Sequence, residues 1–218
     1  MDELELLKEK WQAREQDLPK LSYSDIYKML LKKSSSVVKW IFIISIIELA
    51  FWSLLTIFIP ESSKEFNEGM GLKEVLFVIN IINYAVFFIF IYLFYKNYRS
   101  IQVTDSSSEL MRNILQTRKT VKYFVIYNVG TTVLAMLGTN IYYYFKKEQL
   151  YELMSKNFEG YDAIPPENFT TIFFLIQLGV GVVFIFVILL IYRLVYGTLL
   201  GRLQRNYKEL QKIEMQDN

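Results

Sequence analysis

The chain has no histidine and no cysteine among its 218 residues, and only four prolines. Without imidazole or thiol there is no Ser–His or Cys–His nucleophile pair, which excludes the usual hydrolytic triads. Zinc, haem and iron–sulfur sites lose their ordinary ligands for the same reason. Carboxylate, amide and hydroxyl oxygens remain, and these suit Mg²⁺ or Ca²⁺. Neither a calcium loop nor a glycine-rich phosphate loop occurs. No disulfide can form. A net charge of +2 is too slight to point to nucleic acid. These absences predict a non-enzymatic protein with no metal and no cofactor.

Charge is also missing locally. Trp40–Ile59, Val75–Tyr95, Tyr123–Phe145 and Phe169–Tyr192 hold one formal charge between them, Glu48. Each run has the roughly 20 apolar residues that a helix needs to cross a bilayer. The fold predicted is all-α: a polytopic membrane protein with four transmembrane helices as two hairpins and short cytoplasmic helical extensions. The divisions are a cytoplasmic head at 1–37, hairpins at 38–95 and 123–195, a cytoplasmic connection at 96–122 and a C-terminal helix at 196–218. The first apolar run follows nearly 40 charged-rich residues, so it reads as a retained anchor rather than a cleavable signal peptide.

Basic residues set the orientation. Nineteen of the 24 Lys and Arg lie before span one, between spans two and three, or after span four. The positive-inside bias then predicts a multi-pass membrane protein with both termini and the middle connection cytoplasmic. Tyr92, Tyr95, Tyr98, Tyr123, Tyr192 and Tyr196 cluster near the inner boundary, where amphipathic rings prefer to sit. Val38-Lys39-Trp40-Ile41-Phe42 and Val121-Lys122-Tyr123-Phe124-Val125 echo one another at the hairpin entrances, as duplication or the common demands of that boundary would both produce.

Outside the spans the periodicity is helical. Leu4, Leu7 and Trp11 form an apolar stripe ahead of Pro19, a candidate partner-binding face or one that packs on the protein itself. Ser22 or Ser24 is placed to cap the next helix. Leu200, Leu203, Tyr207 and Leu210 follow coiled-coil spacing, for a neighbouring helix or for a homodimer through the C-terminal helix.

Glu48 needs an explanation, because a carboxylate at mid-membrane costs about 2.5–3.5 kcal/mol on insertion scales. Ser45 lies on its stripe, and Asn83, Asn128, Thr131 and Thr132 fall at matching depth as candidate hydrogen-bond partners. The cluster reads either as a proton- or cation-responsive site or as a polar clasp between helices. Ala135 and Gly138 on span three, and the Gly197/Gly201 pair at the end of span four, are candidate close-packing positions.

The stretch Leu18-Pro19-Lys20-Leu21-Ser22-Tyr23-Ser24-Asp25-Ile26-Tyr27-Lys28-Met29-Leu30, followed by Lys33-Ser34-Ser35-Ser36-Val37-Val38-Lys39-Trp40-Ile41-Phe42-Ile43-Ile44, resembles a family of uncharacterised four-span bacterial inner-membrane proteins. Such proteins are sometimes labelled carotene-cleaving oxygenases. That chemistry needs iron held by four histidines, and this chain has none. The layout of a short cytoplasmic helical head on membrane spans is similar to membrane-bound anti-sigma regulators, a likeness of architecture alone. The leading expectation is a membrane-anchored regulator or scaffold whose cytoplasmic helices bind a soluble partner. The alternatives are a proton-coupled exporter using Glu48, as in the four-span small multidrug transporters, and an accessory subunit of a larger membrane complex.

Overall fold

A computed structural model of the chain describes residues 22–104, 106–161 and 163–217. Among the described residues there are six helices: α1 (Tyr23–Ile57), α2 (Glu61–Gly69), α3 (Lys73–Gln102), α4 (Ser107–Phe145), α5 (Lys147–Asn157) and α6 (Pro166–Asp217). No strand occurs among the described residues. α1, α3, α4 and α6 are each long and apolar enough to cross a membrane.

The helix ends follow local chemistry. At the start of α1, Ser22 Oγ accepts from the Asp25 backbone N–H at 3.2 Å, and the Asp25 carboxyl accepts from the Ser22 N–H in return. This reciprocal arrangement satisfies two donors that the first turn would leave unpaired. Ser106 caps α4 through the Glu109 N–H. Pro166 opens α6, where the missing N–H costs nothing. Between α2 and α3 the chain reverses through Gly71 at φ +74°, a left-handed conformation that favours glycine.

The Ser22 contacts hold the Asp25 carboxyl below the usual carboxylate range, the side-chain hydrogen bond contributing most. A group depressed in the folded state stabilises above its ordinary range and loses that contribution as pH falls through the lowered value. Acidification is therefore expected to fray the first turn of α1. Amide exchange at Asp25 and Ile26, whose N–H groups donate to Ser22, corrected for intrinsic rates, should quicken as the pH is lowered, and Ser22→Ala should weaken that pH dependence.

The four long helices form a ring in which α1 packs against α3 and α6, and α4 against α3 and α6. α1 and α6 have 35 and 52 residues, or about 52 Å and 78 Å at ~1.5 Å per residue. Both exceed the ~30 Å hydrocarbon thickness of a bilayer. The helices continue unbroken past the ends of their apolar runs: α1 through 37/38, α4 through 122/123 and α6 through 195/196. The segments at 23–37, 107–122 and 196–217 are therefore extensions of the long rods and not a separate layer.

Burial concentrates at the two ends. Leu30, Val38, Ile41, Phe94, Phe124 and Leu203 belong to one core, built from the first half of α1, the second half of α3, the first half of α4 and the last part of α6. Phe66, Met70, Tyr143, Leu150, Met154 and Phe169 make a second core at the other end. There α2 and α5 pack on each other, with Gln149 Nε2 donating to the Gly69 carbonyl at 2.8 Å and Tyr142 Oη donating to the Met70 carbonyl at 2.6 Å. Sequence reading treats 60–74 and 146–168 as connections. Phe66 and Met70, and Leu150 and Met154, lie four apart and supply the apolar faces of two short helices that cover each other. Between the cores, across 46–57, 73–86, 125–142 and 174–191, only Gly181 is buried.

The first core carries an internal polar ladder. Asn206 Nδ2 donates to Ser34 Oγ at 2.9 Å, Asn113 Nδ2 to Thr104 Oγ1 at 2.9 Å, and Asn97 Nδ2 to Thr120 Oγ1 at 3.0 Å. Leu199, Leu203, Asn206 and Leu210 of α6 face this core, with Leu200 and Tyr207 at its margin. The C-terminal seam is thus occupied within the chain, and a homodimer through this helix would have to use another face.

Candidate functional site

Glu48 is half-buried on α1. Its Oε1 accepts from Tyr192 Oη at 2.5 Å and its Oε2 from Tyr196 Oη at 3.0 Å. Residues 192 and 196 are one turn apart on α6, so both hydroxyls reach one carboxyl on the helix alongside. Trp52, one turn further along α1, lines the same crevice as Glu48. The rings of Tyr192 and Tyr196 rest on Phe124, at centroid distances of 6.3 and 5.8 Å. The clasp is therefore tied to α4 as well as joining α1 to α6.

This corrects the sequence expectation for Glu48. Its partners are two tyrosines read as boundary residues, not the amides and hydroxyls of spans two and three. Ser45, which is fully buried, donates to the Phe42 carbonyl. Glu48 lies level with Tyr192, where the apolar run of α6 ends, rather than at the middle of that run. The pairing register of α1 against α6 places it there. Counting residues along span one does not contain that register.

The polar residues expected around Glu48 do converge, but on a different space. Asn83, Asn128, Thr131 and Thr132, with Asn80 and Thr56, line a cavity of about 350 Å³ between the four long helices. That volume lies in the ~300–1,000 Å³ range of small-molecule sites. Asn83 Oδ1 accepts from Tyr127 Oη at 3.0 Å, joining α3 to α4. Asn128, Thr131 and Thr132 donate back to carbonyls one turn earlier on α4, which leaves other lone pairs and protons for the cavity. Glu48 does not line it. Trp52 and Tyr192 lie on the partition, lining both this cavity and the apolar crevice where Glu48 sits.

The small residues do not act as close-packing positions within the chain. Ala135 lines the cavity, and a Cβ at Gly138 or Gly201 would meet nothing within 4 Å. Gly197 and Gly201 face outward. The close approach of α4 to α6 comes instead at Gly181, where a Cβ would strike the end of the Met136 side chain. Leu4, Leu7 and Trp11 lie outside the described residues.

Tyr192 and Tyr196 are the site residues that sequence spacing did not single out. Their one available clue was that an isolated carboxyl needs donors, with tyrosine the most abundant candidate near the span ends. The ladder residues Ser34, Asn97, Asn113 and Asn206 were equally silent, because small polar residues on a charged helix read as solvent-facing.

Fold and site together define an all-helical bundle protein with four candidate membrane-crossing helices, a polar cavity between its two cores and a carboxyl–tyrosine clasp beside it. Residues 24–215 match a family model described as Domain of unknown function (DUF8845). The chain belongs to that family. No curated protein and no solved structure matches it significantly.

Proposed function

We propose that this is a non-enzymatic integral membrane protein with both termini cytoplasmic, acting as a membrane-anchored regulator or scaffold for a soluble partner. The membrane part is supported by inverted burial. In the most apolar windows of α1, α3, α4 and α6, at most 11% of positions are buried within the protein. In water such a surface would far exceed the few hundred Å² of contiguous apolar patch that a soluble monomer tolerates. Phe51, Phe77, Phe88, Leu134, Leu175 and Phe186 are all exposed, and hydrocarbon is the solvent that suits them.

The observation that carries the regulatory reading is helix continuity. The rods that enclose the cavity run without a break into the basic-end bundle, so a change in packing around the cavity is transmitted by rigid elements and not by loops. The cytoplasmic bundle exposes Lys32, Lys33, Arg202 and Glu209, a charged surface suited to a soluble protein. The exporter reading asks Glu48 to face an aqueous path. The clasp with Tyr192 and Tyr196 turns it towards α6 instead, which favours a role in packing.

The test has two parts. Tags at each terminus in sealed cells should react only after permeabilisation, and labelling from outside would overturn the topology. The full chain, isolated from native membranes in mild detergent, should co-purify a soluble cytoplasmic protein. Its replacement by stoichiometric membrane subunits would shift the assignment to accessory subunit, and isolation alone would sink the scaffold reading.

A further inference from the structure

A crevice of about 690 Å³ opens between α4 and α6 where their apolar runs meet the basic end. Arg118, Lys119 and Lys122 of α4 and Arg193 of α6 line one part of it. Val125 and Leu189 line the part towards the apolar runs. No carboxylate among the described residues lines the crevice. The ion pairs found among the described residues, Glu61–Lys64 and Glu68–Lys73, are at the opposite end of the molecule. None of the four cations is therefore neutralised by an ion pair within the described chain. Arg118 Nε is moreover buried with no hydrogen-bond partner among the described residues. Such a group is costly unless something accepts from it. Gly197 keeps the groove open, since it has no side chain to fill the space.

We infer that this crevice is a binding site for one anionic phospholipid of the cytoplasmic leaflet. Its phosphate would lie beside Gly197 among Arg118, Lys119, Lys122 and Arg193, and an acyl chain would run on along Val125 and Leu189. The site rests on the membrane orientation proposed above. Charge complementarity selects the occupant: four cations, one of them with a buried guanidinium donor, ask for a phosphate, and the apolar half asks for a hydrocarbon chain attached to it. Basic pockets between spans on the cytoplasmic side bind acidic head groups through these two features. Free phosphate matches the basic half alone. A second copy of this chain would have to bring acidic residues, and its own surface at this level is basic. The outward-facing Gly197, which makes no tight contact within the chain, acquires a role as room for lipid.

The test uses the full chain in nanodiscs of phosphatidylcholine with a minor fraction of phosphatidylglycerol, with retained lipid counted by native mass spectrometry. The wild type should retain one phosphatidylglycerol in preference to phosphatidylcholine. Each cation contributes about fivefold to such attraction, so Arg118→Gln with Arg193→Gln should lower retention by roughly 25-fold. Gly197→Leu should abolish retention with every charge intact. A Cβ there meets only Arg193 Cγ, at 3.8 Å, and leucine suits a helix better than glycine, so this variant should fold. Lys32→Gln with Lys33→Gln, which removes exposed charge from another crevice at the same end, should change nothing.

Retention by Gly197→Leu would overturn the proposal, as would equal loss in the Lys32/Lys33 variant, which would mean diffuse charge. Displacement of the lipid by millimolar inorganic phosphate would make it a free-anion site, and a dimer mass lost in Gly197→Leu would make it an interface between copies. If the Arg118 variant loses its helicity by circular dichroism, Arg193→Gln alone and Gly197→Leu decide the matter. A wild type that is inserted with both termini inside, yet retains the two lipids equally, sinks the lipid site alone; terminal tags labelled from outside sink the topology on which it rests.

Discussion

Phe124→Ala is expected to destabilise the bundle by about 3–5 kcal/mol, the range for a fully buried phenylalanine whose cavity does not collapse. Phe124 is 0% exposed. Its ring meets Phe90, Phe87 and Phe94 edge-on at 5.2, 5.3 and 5.5 Å, and Tyr196 and Tyr192 on the other side. Edge-to-face pairs add stability beyond area burial, and here one ring supplies the edge or face for α3 and α6 at once. The truncation should therefore loosen the Glu48 clasp, which depends on the position of both tyrosine rings. Reversible unfolding in mixed micelles would measure the loss. Phe186→Ala, an exposed ring on α6, should stay within about 0.5 kcal/mol in the same assay. Equal effects from the two substitutions would remove the distinction between a packed level and an exposed one.

The clasp gives the second large effect. Glu48→Leu removes the acceptor of two hydroxyls at once, and Tyr192 and Tyr196 are 8% and 2% exposed, so water cannot replace it freely. A buried hydroxyl left unpaired costs about 1–3 kcal/mol, while measured interhelical hydrogen bonds in a membrane protein average nearer 0.6 kcal/mol. The low exposure favours the upper part of that span, and a total of roughly 2–3 kcal/mol is expected. Glu48→Gln keeps one carbonyl acceptor and an amide that can donate to the other oxygen, and should cost under about 1 kcal/mol. Adding Tyr192→Phe and Tyr196→Phe to Glu48→Leu removes both sides of the interaction and should recover much of the loss, because no orphaned polar group is then left. A Glu48→Leu variant as stable as the wild type would end the clasp interpretation. A stable Glu48→Gln variant that lost cation efflux or its pH response would make the carboxyl a transport group.

Much of the architecture was legible because it follows from solvent preference along single helices. The four apolar runs and the cap near Ser22 are local features. Less was legible where the relevant contact joins distant residues. Residues 48 and 192 are 144 apart in the chain, and Asn206 lies 172 beyond Ser34. A periodic pattern shows that a residue belongs to a face, but not which face lies opposite. The C-terminal seam illustrates the difference: Leu203 and Leu210 were visible as core positions, whereas the choice between the chain's own bundle and a second copy required the arrangement of α1, α4 and α6.

The glycines show the same limit from the other direction. Gly197 and Gly201 have the spacing of a close-packing motif but face outward, while Gly181, outside any motif, is where α4 and α6 come together. Helical class, the number and length of candidate spans, and the exclusion of thiol and imidazole chemistry were set by composition and by order along the chain. Those properties depend on how each segment interacts with its solvent. The partner of Glu48, the cavity among Asn83, Asn128, Thr131 and Thr132, and the basic crevice beside Gly197 came from helix register and rotation. Those depend on side chains meeting across the bundle, and no single helix contains that information.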